Sequence, residues 1–215
     1  MTCKLRSMPP TLWLIAVLAL LVTAHLRAAP DDEDLVEITK IDPTILVELR
    51  YATSRNFIGR PLYPANARAF VRPSVALRLE RAQSFLREHG YGIKIWDAYR
   101  PQAAQYELWK AKQNGAYVAD PAEGNGSLHT WGVAVDATLV DLHGRELAMP
   151  TDFDEFTPAA MLRYHGEDQL VKSHLKALQV GMRRGGFYGM RTEWWHFVSY
   201  DWKKYAPIRD WKLTP

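Results

Sequence analysis

Cysteine occurs once in the 215 residues, at Cys3, so disulfides, thiol nucleophiles and thiolate metal ligands are excluded from everything downstream of it. Any metal must then be held by His, Asp or Glu. An excess of charge is missing too: the formal net charge is +3, and the three cations Lys4, Arg6 and Arg27 lie in the first 28 residues without an acid. The rest is neutral and has no basic run, which leaves no electrostatic footing for nucleic acid. Long hydrophobic runs are absent as well. The apolar stretch "LWLIAVLALLVTA", Leu12 to Ala24, falls short of the ~20 residues that span a bilayer. "GGFYG" is too loose for a phosphate loop, and no strand-G-x-G-x-x-G-helix unit occurs.

What is present begins with a cationic start, that short apolar run, and small residues up to Ala29. This is the pattern of a secretory signal. Residues 1–29 are expected to be a signal peptide cleaved after Ala24, Ala28 or Ala29, with an uncleaved anchor as the alternative. Residues 30–215 are expected to form one exported, periplasmic domain without membrane insertion. Eight tryptophans supply ample material for its core.

Hydrophobic spacing predicts a helix over "SVALRLERAQSFLREHG", stopped by Gly90. A short strand follows at Ile93 to Trp96, then a helix through "QAAQYELWKAKQ" with Pro101 in its first turn and Asn114-Gly115 at its end. "GVAVDATLVDLHGREL" alternates, which predicts a strand from Val133 to Val140 and a turn at "DLHGRE". A short helix near "PAAMLRY" and a longer one over "DQLVKSHLKALQVGMRR" come next, the latter ended by Gly185-Gly186. "EWWHFVSY" is aromatic and β-branched enough for a final strand. The expected fold is α+β, a single domain with a small antiparallel sheet flanked by helices.

In "SLHTWGVAVD", Gly132, Ala134 and Asp136 share one strand face, so small residues leave space above the Asp136 carboxylate. His129 has the opposite parity and joins that face only if the chain bends, most easily at Gly132. His129 and Asp136 make two ligands of a zinc site, and His196 is the obvious third. Three protein ligands are the pattern of a catalytic rather than a structural zinc. Glu193 stands three residues before His196, a spacing that puts the two on one face of a helix but on opposite faces of a strand. The strand reading divides their tasks: His196 binds metal from within the strand, Trp194 shares its face, and Glu193 reaches the water from the strand entrance as a base. Taken singly, each residue has a plainer explanation, with His129 packed, Asp136 capping a turn and Glu193 on a solvated edge. Together they resist it, because a buried carboxylate in an apolar strand is expensive without a partner. Arg100, at the end of its strand in "WDAYRP", suits a developing oxyanion, a substrate carboxylate or a surface salt bridge. His25, His89, His143, His165 and His174 have no ligand-like spacing.

"SLHTWGVAVD" fits the S-x-H-x-x-G-x-A-x-D signature, and "EWWHF" the E-x-W-H signature, of the zinc D-alanyl-D-alanine peptidases. With "YATSRNFIGRPLY" and "WDAYRP", the chain from about Leu35 to Trp202 resembles the D-alanyl-D-alanine dipeptidases of the vancomycin-resistance type. The resemblance implies a hedgehog and D-Ala-D-Ala peptidase-like fold, with one zinc on His129, Asp136 and His196. It implies Glu193 as general base and later proton donor, and Arg100 as stabiliser of the tetrahedral intermediate. It also implies Ser127 on the substrate carboxylate, and Tyr51 and Asp154 on its ammonium. The implied reaction is hydrolysis of D-Ala-D-Ala to two D-alanines. Two departures stand out: the connection from Arg100 to Ser127 is short, implying a more open pocket roof, and Trp131 is expected to add bulk near the metal. The alternatives are a D,D-carboxypeptidase or endopeptidase acting on peptidoglycan stems, and a non-catalytic zinc-containing wall-binding module.

Overall fold

The computed structural model of the chain describes residues 34–209 and 211–214, so the expected signal segment lies outside the described residues. In chain order the elements are β1 (Val36–Glu37), α1 (Ile38–Ile41), β2 (Leu46–Val47), β3 (Phe70–Val71), α2 (Pro73–Glu88), β4 (Tyr91–Asp97) and α3 (Gln102–Ala111), then β5 (Ala134–Asp141), α4 (Gln169–Gly185), β6 (Phe187–Gly189) and β7 (His196–Ser199). β1 and β3 form a small antiparallel pair, and the other five strands form a sheet of order β2-β4-β5-β7-β6. The α+β class is as expected, but the sheet is mixed rather than antiparallel. β2 runs parallel to β4 because the chain between them crosses over through β3 and α2, not through a hairpin.

The long helices follow their apolar spacing. α2 buries Val75, Ala76, Leu79, Ala82 and Leu86 and packs on β4 and on α4. α4 is started by Asp168, whose carboxylate accepts from Leu170 N and Val171 N. It is ended by Gly186 in the left-handed region, at φ +98°. Among the described residues, no helix is long and apolar enough to cross a membrane.

Three boundaries differ from expectation. α3 stops at Ala111, before Asn114-Gly115, because the backbone turns extended at Lys112, and Pro101 caps the helix rather than joining it. The segment near Pro158 is only a three-residue 3-10 turn, since Met161 is extended and Leu162 N is drawn onto Arg191 O. The final strand is confined to His196–Ser199. Trp194 and Trp195 lie in the preceding turn, where Trp194 N bonds to Ala160 O, so Trp194 does not share a strand face with His196. Both indoles are buried, edge-to-face with each other at 5.5 Å, and they join Trp96 and Phe153 in the core.

Candidate active site

β5 and β7 carry the centre of the site. Asp136 and His196 are directly opposed in the antiparallel ladder. The bond from Ala137 N to Trp195 O makes them a non-hydrogen-bonded pair, the register in which facing side chains come closest. His196 Nδ1 is accordingly 3.0 Å from Asp136 Oδ1. His129 reaches the same point from outside the strand. It lies in a 3-10 turn, Leu128–Trp131, that ends at Gly132 with φ +70°, the bend that the parity of the two residues demands. A Cβ at Gly132 would also lie 2.6 Å from the Leu35 side chain. The turn is zipped to the exit of β4: Arg100 N donates to His129 O, and His129 Nδ1 lies 2.7 Å from Ala98 O.

A carbonyl oxygen only accepts, so His129 Nδ1 carries the proton and Nε2 keeps its lone pair. Nε2 points at His196 Nδ1 at 3.1 Å and at Asp136 Oδ2 at 3.4 Å. Two imidazoles and a carboxylate thus converge, the one group of potential metal ligands among the described residues. Ligand separations of 3.0 to 3.4 Å match the roughly 3.3 Å between ligands on a tetrahedral ion with ~2.05 Å bonds. The nitrogen and oxygen donors suit zinc.

Arg100 is buried and strongly tethered. Asp97 Oδ2 accepts from its Nε at 2.9 Å and lies 2.8 Å from Nη2, while Gln105 Oε1 accepts from Nη1 at 2.8 Å. Nη2 is also 3.6 Å from Asp136 Oδ2, and the guanidinium lies over the Tyr51 ring. The surface salt bridge suggested for Arg100 is therefore not what forms.

Sequence reasoning missed Asp97, which is fully buried and also accepts from the Tyr63 hydroxyl at 2.8 Å. A bulge between Ile95 and Asp97 brings it opposite Asp136. The signal that flags Asp136, a carboxylate in an apolar strand, was available for Asp97 as well. Arg50 was also missed. Fully buried beside Tyr51, it stacks over Trp96 at 4.6 Å and donates to Glu146.

Glu193 sits at the entrance to β7, 6% exposed, and its Oε1 accepts no hydrogen bond. Burial first, then the charges of Asp136 and Asp154, push its carboxyl well above the usual range. Asp154 adopts a left-handed backbone, φ +59°, which Asp tolerates better than most residues. Its carboxylate accepts only long bonds, 3.3 Å from the Tyr51 hydroxyl and 3.3 Å from Phe57 N, and burial followed by the Asp136 charge lifts it to about 7. Burial also pushes Asp136 upward, but His129 and His196 outweigh it and hold that carboxyl well below the normal range.

One cavity of 290 Å³ gathers all eight residues singled out in the sequence: Tyr51, Arg100, Ser127, His129, Asp136, Asp154, Glu193 and His196. Trp131 does not line it. Its indole turns away to Asn125 O and Trp202, so the bulk expected of it does not reach the His129, Asp136 and His196 group.

The sequence model of the D-ala-D-ala dipeptidase family matches residues 31–211. A D-alanyl-D-alanine dipeptidase of Escherichia coli (strain K12) is 35% identical over 180 residues, 84% of this chain and 92% of the relative. Another, from Enterococcus faecalis, is 29% identical over 173 residues, 72% of this chain and 85% of the relative. Among solved structures, that of the LdcB LD-carboxypeptidase matches with a TM-score of 0.44 at 17% identity, covering 83% of this chain and 73% of that one. With the matched region spanning the described fold and its site, the chain belongs to the D-Ala-D-Ala dipeptidase family.

Proposed function

We propose that the protein is a zinc-dependent dipeptidase that hydrolyses D-Ala-D-Ala to two D-alanines, with one ion per chain on His129, Asp136 and His196. The observation that carries this reading is Asp154: a buried carboxylate with no cation bonded to it, in the same cavity as the His-Asp-His group. A buried acid so poorly satisfied is completed by a ligand cation. The free ammonium of a dipeptide provides one, whereas a long stem peptide has none next to its scissile bond. The names of the curated relatives support the same substrate.

When bound, zinc supplies Lewis acidity, which acidifies water and polarises a carbonyl. The remaining tasks belong to side chains. Glu193, buried and with a free oxygen, takes the proton of the attacking water and returns it to the leaving amine. Charge neutralisation at Asp136 relieves one of the pressures that raise the Glu193 carboxyl. Arg100, held rigid by Asp97 and Gln105, offers its remaining N–H groups to the carbonyl oxygen as charge develops there. Ser127 meets the substrate carboxylate, and Tyr51 and Asp154 the ammonium. Residues 1–29 are proposed as an export signal, so that the enzyme acts in the periplasm.

The test supplies zinc-loaded protein with free D-Ala-D-Ala and, separately, with a pentapeptide stem, each with and without a chelator, and measures released D-alanine. Chelator-sensitive release from the dipeptide is expected. Rapid stem cleavage with little dipeptide cleavage would reject the dipeptidase in favour of a carboxypeptidase.

A further inference from the structure

α3 is amphipathic, yet the buried side chains on it, Ala104, Gln105 and Leu108, include an amide. Gln105 is wholly buried, and both ends of its side chain are used. Oε1 accepts from Arg100 Nη1 at 2.8 Å, and Nε2 donates to Ala119 O at 2.7 Å. The orientation of the amide follows from its partners, since a guanidinium can only donate and a carbonyl can only accept.

Ala119 belongs to the segment between α3 and the His129 turn, and that segment contributes Tyr117, Val118, Ala119 and Gly126 to the cavity lining. Further side-chain hydrogen bonds reach this segment from Thr192 Oγ1 to Ala116 O at 3.1 Å, exposed to solvent, and from Trp131 Nε1 to Asn125 O at 3.0 Å, near its far end. Gln105 therefore joins the cavity roof to the guanidinium through one rigid amide. With two N–H groups of Arg100 engaged by Asp97 and one by Gln105, one N–H on each terminal nitrogen is left for a substrate oxygen.

We propose that Gln105 is a positioning residue that couples two tasks in one amide: Nε2 holds the roof segment 112–126 in place over the dipeptide, and Oε1 holds the orientation of Arg100. The first contact serves substrate binding, and the second fixes which N–H groups of Arg100 face the cavity. This inference rests on the dipeptidase reading for its kinetic arm alone.

Two variants separate the two contacts. Gln105→Met removes both bonds at similar volume, whereas Gln105→Glu keeps an acceptor for Arg100 Nη1 and loses the donor to Ala119 O. With D-Ala-D-Ala, Gln105→Met is expected to lose at least about tenfold in kcat, the scale of one lost bond to a charged group, and to raise KM. Gln105→Glu is expected to recover kcat to within about threefold of wild type while KM stays raised. In hydrogen exchange, both variants should lose protection in residues 112–126 and keep that of β4 and β5. A structural role alone predicts that both variants fall together in proportion to lost stability. Equal kcat in the two variants, unchanged constants in Gln105→Met, or an unaltered roof in exchange would each overturn the coupling. Absence of turnover by the wild type would count against the dipeptidase reading instead, and the exchange measurement would still decide the tie.

Discussion

Glu193 and His196 differ in what the fold does with them, and that difference can be measured. His196 is a cross-strand partner of Asp136, so His196→Ala deletes one corner of the ligand triangle. Glu193 lies beside that triangle with a buried Oε1 that accepts no hydrogen bond, which leaves it free to act as a base. Glu193→Ala is expected to retain zinc by elemental analysis and to lose about 10²- to 10⁴-fold in kcat, whereas His196→Ala loses the metal. Wild-type turnover in Glu193→Ala would remove it from the mechanism. Asp154 allows a prediction in the opposite direction. Its carboxyl is raised to about 7 in the fold, chiefly by burial, against about 3.9 in an unfolded chain. Above pH 4 the unfolded chain releases this proton first, so Asp154 lowers stability progressively up to pH 7 and by a constant amount beyond. In chelated protein, Asp154→Asn should therefore be more stable than wild type at pH 8, by as much as about 4 kcal/mol, with the gap closing toward pH 4, while KM for the dipeptide rises. Denaturant titrations at both pH values check this, and equal stability at pH 8 would refute it.

The elements bearing the site differ in how far a sequence reveals them. α2 and α4 are legible because each buries a regular face whose period shows in the residue order, whereas β4 and β5, buried on both faces, are legible from short runs rich in apolar and β-branched residues. The need for a bend between His129 and Asp136 is legible too, since parity is countable and Gly132 is present to satisfy it. The bulge at Trp96 is not: an extra residue in β4 is defined only by its pairing with β5, and without that pairing Asp97 reads as facing away from Asp136. β2 and β6 are two and three residues long, too short for periodicity, and exist because β4 and β7 offer them open edges. The roles proposed for Ser127, Tyr51 and Asp154 come from motif resemblance rather than from spacing. Close packing of α2 on α4 is likewise a tertiary fact. Gly185, on α4, faces α2 so closely that a Cβ there would lie 2.5 Å from Arg78 O. Helix propensity alone makes Gly→Ala stabilising by about 1 kcal/mol. The contact is with backbone, which cannot swing aside, so Gly185→Ala is expected instead to destabilise by about 1–3 kcal/mol. A raised denaturation midpoint in that variant would show that propensity wins.

At the scale of the whole molecule, the ligand triangle draws on a loop turn and two separate strands, His129, Asp136 and His196, and the cavity around it collects residues from Tyr51 to Val198. Few of these contacts are local in sequence, so an unfolded chain cannot present the three ligands together. Metal binding is then linked to global folding rather than to a local loop. An ion held at a hundred times its dissociation constant stabilises the fold by about 2.7 kcal/mol. For a chain of this length, that corresponds to a Tm higher by about 5–10 °C. Chelation of the wild type should lower Tm by that amount, and readdition of zinc should restore it. His196→Ala should melt at one temperature with or without chelator, because the triangle that transmits binding to the fold is broken. A chelator-insensitive wild type, or a His196→Ala variant that still responds in full, would mean that zinc is held elsewhere and that the convergence of these strands serves stability alone.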